Sequence, residues 1–118
     1  MVARRFLVEL DGEPVELVSS YFPVDLAEGT ELESAEPLSD GLREHLETRK
    51  RVRFDHITER VSARLPEPQD AQLLDVTEGQ PVLSVLVIAY DASGRALQVA
   101  DVLLPADRQE LEDTYRLN

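Results

Sequence analysis

The sequence predicts an α+β fold in which a few helices pack on an antiparallel β-sheet, and three observations support this prediction. Two segments of alternating apolar and polar residues are each split by a turn that contains Asp and Gly, at residues 10–14 and 91–94, which is typical of β-hairpins. A third alternating segment and two short segments with helical spacing lie between the hairpins. With 118 residues, the chain has room for one domain, residues 1–118, and not for two.

Composition and charge exclude several classes of function. Asp and Glu number 24 against 12 for Lys and Arg, which gives a formal net charge of −12, so the chain itself should be repelled by DNA. No apolar run approaches the ~20 residues of a membrane-spanning helix, and no secretory signal is visible before Glu9. The absence of cysteine excludes disulfides and thiolate metal sites. These features predict a cytoplasmic protein without a membrane partner.

The first half of the chain has the pattern of a hairpin, a loop and a helix. The turn lies between apolar strands at Phe6–Leu10 and Val15–Phe22, and its Asp-Gly pair tolerates positive φ. Pro23–Pro37 shows neither periodicity and is predicted to be a loop. Ser39 or Asp40 could cap a helix of about ten residues that begins near Gly41.

The second half has the pattern of a strand, a short helix and another hairpin. Phe54–Leu65 alternates as a half-buried strand does, and Pro68–Leu74 has proline in the first turn of a predicted helix. Val82–Tyr90 and Leu97–Leu104 form the second hairpin. The acidic tail from Asp107 could add a weak edge strand or a short helix.

The two hairpins are predicted to be copies of one unit. Shifting the sequence against itself by 82 positions superposes them without a gap and preserves the apolar and polar alternation. Over the 14 residues from Gly12 to Asp25, three identities fall in this register: Gly12 with Gly94, Pro23 with Pro105, and Asp25 with Asp107. Chance similarity between any two hairpins is the alternative. If the units are duplicates, the strand and helix that precede the second hairpin lack counterparts here, because those counterparts would precede Met1.

Six short strings occur in an order known from one protein family: Asp11–Val15, Ser20–Pro23, Glu59–Arg64, Glu78–Leu83, Tyr90–Arg95 and Pro105–Arg108. From about Arg4 to Tyr115 the chain resembles the UTRA domains, the effector-binding domains of GntR-type transcription regulators of the HutC subfamily. The fold of that family is similar to chorismate lyase. The resemblance implies a small-molecule pocket between the two hairpin units and a homodimer. It also implies DNA binding only through a winged helix-turn-helix domain, of which this sequence shows no pattern.

The resemblance also places effector contacts on this sequence. In members that sense sugar phosphates, an Arg-x-Arg pair that clamps the phosphate aligns with Phe6 and Val8, and a sugar-binding Glu aligns with Val18. In the second hairpin, a Glu and a Tyr align with Gln98 and Leu104. Because a phosphosugar would leave buried charge without a partner, at a cost of several kcal/mol, we expect a less charged and more apolar effector. The alternative is that these apolar side chains fill the core and leave no pocket.

Two further groups, Tyr90 and the helix start at Gly41, are candidates for effector recognition beside Gln98. Under the 82-residue shift, Ile88 and Tyr90 correspond to Phe6 and Val8, so Tyr90 and Gln98 could supply directional hydrogen bonds inside an apolar cleft. Either side chain could instead lie at the rim of this cleft. The family places an effector-contacting Ser at the helix start, where backbone N–H groups at Gly41 could receive a carboxylate; most helix starts meet only water or their own cap.

Catalysis, metal binding and cofactors are not predicted. His45 and His56 lie on different predicted elements without ligand-like spacing to acidic residues, and Ser19 and Ser20 have no adjacent general base. Two alternatives to a sensing module remain: an enzyme of the chorismate lyase type, with a paired Arg and Glu for a dicarboxylate, and a ligand-free dimerisation module joined through an unpaired sheet edge.

Overall fold

A computed structural model describes residues 1–30 and 42–117. It contains one five-stranded antiparallel sheet in the order β1-β2-β5-β4-β3. The strands are β1 (Val2–Leu10), β2 (Glu13–Phe22), β3 (His56–Arg64), β4 (Val82–Tyr90) and β5 (Ala96–Pro105), and the helices are α1 (Val24–Ala27), α2 (Leu42–Lys50) and α3 (Pro68–Leu74). The predicted α+β class with an antiparallel sheet and a few helices is confirmed.

The alternation of each strand gives the sheet two faces with different covers. On one face, Phe22 packs with Leu26 of α1 and Leu46 of α2 in a cluster of fully or almost fully buried side chains. On the other face, Leu17 and Leu103 pack with Leu74 of α3. We call these the α2 face and the α3 face.

The segment after the first hairpin differs from its prediction. Residues 24–27, predicted as part of a loop over Pro23–Pro37, form the short helix α1, because Leu26 and Ala27 are buried beside Phe22. Four residues are too few to show a helical period in the sequence. The predicted helix start at Gly41 and the caps Ser39 and Asp40 lie outside the described residues.

The acidic tail also differs from its prediction. The backbone N–H groups of Arg108 and Gln109 donate to Pro105 O, each at 3.1 Å, and the described residues beyond Arg108 form neither strand nor helix.

The pairing register relates the two hairpins by a pseudo-twofold axis. In β2 and β5, Leu17 pairs with Leu103 and Tyr21 pairs with Val99, so the pairing is symmetric about Ser19 and Asp101. Rotation about this centre places each β2 residue on the β5 residue 82 positions later. β1 residues fall on β4 residues 81 positions later, and the register irregularity after Val8 matches the one after Ala89.

The two turns explain why the shift is 82 on one strand and 81 on the other. The first hairpin closes through Asp11 and Gly12, both at positive φ (53° and 78°), as a two-residue turn requires. The second has one more residue, and the Asp91 N–H donates to Arg95 O at 2.9 Å across it. Gly94, at φ 91°, supplies the left-handed position of a three-residue loop.

Candidate functional site

A row of five apolar residues crosses the α2 face. Cross-strand neighbours share a face of an antiparallel sheet, and the pairing runs through all five strands: Phe6, Val18, Val102, Val85 and Val61. The ends of the row are open, since Phe6 is 46% and Val61 55% exposed, whereas Val18 in the interior is buried. Among the described residues, α1 and α2 pack at the end of this face that carries Phe22.

Five of the sequence-predicted effector contacts share this α2 face. Phe6 pairs directly with Val18, Leu104 pairs with Leu83, and Gln98 pairs with Ala89; Val8 lies two residues beyond Phe6 on the same strand and side. Val18 and Leu104 are buried, and Phe6 is not. The burial of Val18 and Leu104 fits both an apolar pocket wall and a filled core, whereas Phe6 presents its ring at the surface, so their contact with an effector stays a prediction.

Gln98 has a buried acceptor without a partner. The residue is 8% exposed, and in the described part of the chain no group donates a hydrogen bond to its Oε1. Leu97, the preceding residue, is fully buried in the α2-face cluster with Leu46, which holds this end of β5 under the helical cover. An unsatisfied buried polar atom costs about 1–3 kcal/mol, and such groups often mark a position that a ligand or water completes.

Tyr90 does not join this group. By alternation from Val82, which packs in the α3-face cluster, Tyr90 lies on the α3 face, where its ring stacks on His56 at 5.0 Å between centroids and 16° between planes. The prediction failed because the second turn is one residue longer, so that a constant shift of 82 misaligns β4. The pseudo-twofold counterparts of Phe6 and Val8 are Val87 and Ala89.

The remaining predicted contact is the helix start. Gly41 lies outside the described residues, and α2 is described from Leu42 onward. The proposed binding of a carboxylate by backbone N–H groups at Gly41 therefore stays a prediction.

A second candidate, a polar groove of about 560 Å³, lies on the α3 face beside the start of α3. It lies on the pseudo-twofold axis at Ser19 and Asp101, and sequence reasoning did not single it out. Arg5 donates to Asp70 across the groove, and Ser84 Oγ donates to Asp101 Oδ1 at 2.9 Å. Alternation places the Arg5 side chain on the face of the sheet that Phe6 does not occupy. The helix that completes the groove, however, contributes Asp70, which lies 65 residues after Arg5 in the chain. Because these charged groups pair with one another, they offer less to a ligand than Gln98 does.

The shifted titrations belong to the second turn and lie away from both candidates. Ser93 Oγ donates to Asp91 Oδ1 at 2.7 Å, and this hydroxyl and the Arg95 amide hold the pKa of Asp91 below its ordinary 3.8. Arg95 Nη2 binds both carboxylate oxygens of Asp25 at 2.8 Å, which lowers the pKa of Asp25 and raises that of Arg95. These exposed groups fix the turn against α1 and are not positioned for chemistry.

Within residues 1–30 and 42–117, no three His, Cys, Asp or Glu side chains are grouped as a metal site. His45 is buried in α2 and His56 lies on β3, so the two histidines do not converge. None of the helices in the described part of the chain is long and apolar enough to span a membrane.

Comparison with known proteins identifies a family and a shared fold. The family model described as UTRA domain matches residues 1–110. The ligand-binding domain of a putative GntR-family regulator from Bordetella bronchiseptica superposes with a TM-score of 0.79 at 23% identity, over 95% of this chain and 70% of that one. No curated protein matches the sequence.

Two further solved structures are similar. The effector domain of PhnF from Mycobacterium smegmatis has a TM-score of 0.81 at 18% identity, over 98% of this chain and 69% of that one. The C-terminal domain of the histidine utilization repressor from Pseudomonas syringae pv. tomato has a TM-score of 0.80 at 17% identity, over 96% and 77%. The fold is shared by all three.

Proposed function

This chain belongs to the UTRA domain family, and from that premise we propose that it is the effector-sensing domain of a GntR-type transcription regulator of the HutC subfamily. The observation that carries the proposal is the buried, unsatisfied Oε1 of Gln98 on a sheet face whose apolar row stays partly open at Phe6. A largely apolar concavity with a few fixed polar groups is the usual setting for a small-molecule site.

The same residues define the effector chemistry. Gln98 Oε1 can accept a hydrogen bond from an N–H or O–H group of the effector, and the apolar row through Phe6 and Val18 can contact an apolar part of the effector. Glu16 lies on this face, paired with Val8, and adds a carboxylate. A phosphate would meet no cation at Phe6 or Val8 and would be repelled by the carboxylate of Glu16. Arg4 lies on the same face as Phe6, but it already has an interaction partner. We therefore propose a neutral or cationic effector and not a sugar phosphate.

Regulation requires more than binding. A ligand shifts a conformational equilibrium only by its difference in affinity for the two states, so the effector must prefer one arrangement of a homodimer over another. DNA contact belongs to an attached DNA-binding domain, because the net charge of −12 on this chain disfavours a polyanion. We place the protein in the cytoplasm and assign it no catalytic residue or cofactor.

Thermal-shift screening of uncharged and cationic metabolites against the purified chain tests the proposal. At saturating concentration, a specific effector should raise the melting temperature by several degrees, since a ligand at 100 times its Kd stabilises by about 2.7 kcal/mol. The Gln98→Leu variant should lose most of this response while melting at or above the wild-type temperature, because the unsatisfied acceptor is gone.

The matched control is Gln72→Leu, which changes an exposed glutamine of α3 and should respond to the effector as the wild type does. If the effector raises the melting temperatures of Gln98→Leu and wild type equally, Gln98 does not contribute to the site. If no compound raises the melting temperature, the ligand-free dimerisation module becomes the better reading. Release of hydroxybenzoate from chorismate would instead favour an enzyme.

A further inference from the structure

The outermost strand β3 lies open on both of its faces. It pairs with β4 along the whole of His56–Arg64 and ends the sheet, so that in the described part of the chain no strand pairs with its other edge. Every residue from His56 to Ala63 is exposed, and neither hydrophobic cluster of the described residues includes one of them. The sheet therefore holds β3 through a single neighbour.

The open edge of β3 lacks several features that protect edge strands. Native proteins block such edges with proline, with a bulge or with a very short strand. β3 has nine residues, contains neither proline nor glycine, and pairs with β4 without a register irregularity. By contrast, β1 at the other end of the sheet has an irregularity after Val8. The edge of β3 is thus regular enough to accept another strand.

Three large aliphatic side chains lie in line on this strand and directly after it. Ile57, Val61 and Leu65 are 46%, 55% and 61% exposed and follow one another at intervals of four residues. Such residues share one side of an extended chain, and the pairing of Val61 with Val85 places them on the α2 face. Aliphatic residues in line at a sheet edge are the side chains that a further strand would cover.

The charged residues of β3 select the register in which the strand could pair with an identical one. A twofold axis perpendicular to the sheet passes through one residue and its copy. A centre at Glu59 would place two carboxylates directly opposite each other, and a centre at Arg60 would do the same with two guanidinium groups. Like charges in this position are destabilising. A centre at Val61 avoids both conflicts.

We propose that β3 pairs antiparallel with β3 of a second copy of this chain about a twofold axis at Val61. In this register Val61 packs on the partner's Val61, and Ile57 packs on the partner's Leu65. Glu59 and Arg60 lie opposite the partner's Ala63 and Ser62, so that no like charges meet. The inference names the surface through which the homodimer of the proposed function forms, and it rests on the proposed function in that respect alone.

This arrangement joins the two α2 faces. Because the axis is perpendicular to the sheet, both α2 faces lie on the same side, and the two five-stranded sheets become one continuous sheet. The apolar row that begins at Phe6 and ends at Val61 then meets the row of the partner. An effector bound on the α2 face of either protomer therefore lies on the surface that the interface extends.

Single-cysteine variants test the register, since the natural chain has no cysteine. Directly paired residues have Cα atoms about 4.5–5.5 Å apart, within the ~4.4–6.8 Å that a disulfide spans. Mild oxidation should therefore crosslink most Val61→Cys molecules into dimers. In the same register the two copies of residue 60 are about 8 Å apart and those of residue 59 about 14 Å. Arg60→Cys and Glu59→Cys should crosslink about tenfold less.

The matched control is Val24→Cys, which changes an exposed valine of α1 (52%, against 55% for Val61) and reports crosslinking by chance collision. Analytical ultracentrifugation provides a second test without oxidation. The wild-type chain should sediment as a dimer, and so should Val24→Lys. Val61→Lys should sediment as a monomer with an unchanged circular dichroism spectrum, because two ammonium groups would meet at the axis.

Each opposite result overturns the proposal. Equal crosslinking of Val61→Cys and Val24→Cys, or a wild-type chain that sediments as a monomer, would exclude pairing through β3. Stronger crosslinking of Arg60→Cys or Glu59→Cys than of Val61→Cys would show that the register is wrong. These measurements require no effector, so the interface can fail while the effector response of Gln98 stands, and the reverse.

Discussion

The hairpins β1–β2 and β4–β5 share their strand pairing, the position of their register irregularity and the turn that follows each second strand, yet equivalent positions differ in burial and charge. Leu26, buried in the α2-face cluster, is the counterpart of Arg108, and Glu16 is the counterpart of Gln98. The N–H groups of Leu26 and Arg108 donate to Pro23 O and Pro105 O, each at 3.1 Å, so the backbone is alike where the side chains are not.

This difference teaches that the repeated pattern specifies the sheet, while the elements packed on it decide what each copy does. Main-chain pairing depends on alternation and turns, which both copies keep. Burial depends on the helices, and α3 covers Leu17 but not its counterpart Val99. The candidate site arises from the same divergence, because Gln98 is an amide under helical cover and Glu16 a carboxylate near the open edge.

The largest expected effect is on the free energy of unfolding, and it compares Leu17 with its counterpart Val99. Leu17→Ala should destabilise the chain by about 2–5 kcal/mol, since it leaves a cavity beneath α3. Val99→Ala at the equivalent position should cost less than about 1.5 kcal/mol, because the smaller side chain is only half-buried. Urea denaturation of both variants measures the difference, and equal losses would show that the two halves of the α3 face are covered alike.

A smaller effect is expected at Arg108, which is 19% exposed and joins the first hairpin to α3. Its guanidinium donates to Pro14 O at 3.0 Å, to Leu74 O at 3.1 Å and to Asp75 O at 2.8 Å. Arg108→Ala should cost about 2 kcal/mol, because these carbonyls lose a charged donor.

The matched control for Arg108 is Arg53→Ala, which removes an exposed arginine and should leave the urea midpoint almost unchanged. If the two arginine variants unfold at the same urea concentration, Arg108 does not hold the hairpin against α3.

The smallest expected effect is on the pKa of Asp91 in the second turn. Because Ser93 Oγ donates to Asp91, the pKa of Asp91 is held below 3.8, and Ser93→Ala should raise it toward that value. A group whose folded pKa is depressed stabilises fully above its unfolded pKa and loses this contribution as pH falls through the folded pKa. Asp91 should therefore stabilise the second turn at neutral pH and lose this effect below about pH 4.

Carboxyl-carbon NMR titration measures the pKa of Asp91 directly. Ser62→Ala, which removes an exposed hydroxyl on β3, is the control and should leave the titration unchanged. An Asp91 pKa that does not respond to Ser93→Ala would show that the hydroxyl contributes little to the turn.

Particular residues show how far the sequence could predict this molecule. The hairpin turns and the strand bounds at Val82–Tyr90 follow from local chemistry, and the structure has them as expected. The common face of Phe6, Val18 and Gln98 follows from alternation within the strands. Tyr90 was misplaced because a one-residue difference in turn length reverses every side chain of a strand, and an ungapped sequence shift conceals it.

The rest depended on contacts between distant segments. α1 forms because Leu26 and Ala27 pack against Phe22. The groove at Arg5 exists because Asp70, from a distant part of the chain, lies beside the sheet and accepts a hydrogen bond from Arg5. No local period reports such contacts. The unsatisfied acceptor of Gln98 likewise became visible only when the neighbours of β5 were known.

The most direct measurement of where an effector binds is amide chemical-shift mapping by NMR with the compound that raises the melting temperature most. If the α2 face is the sensing site, the largest shifts will cluster at Val18, Gln98 and Ala100, with little change across the α3 face. Shifts centred on Arg5, Ser19 and Asp70 would place the ligand in the polar groove of the opposite face and contradict the account.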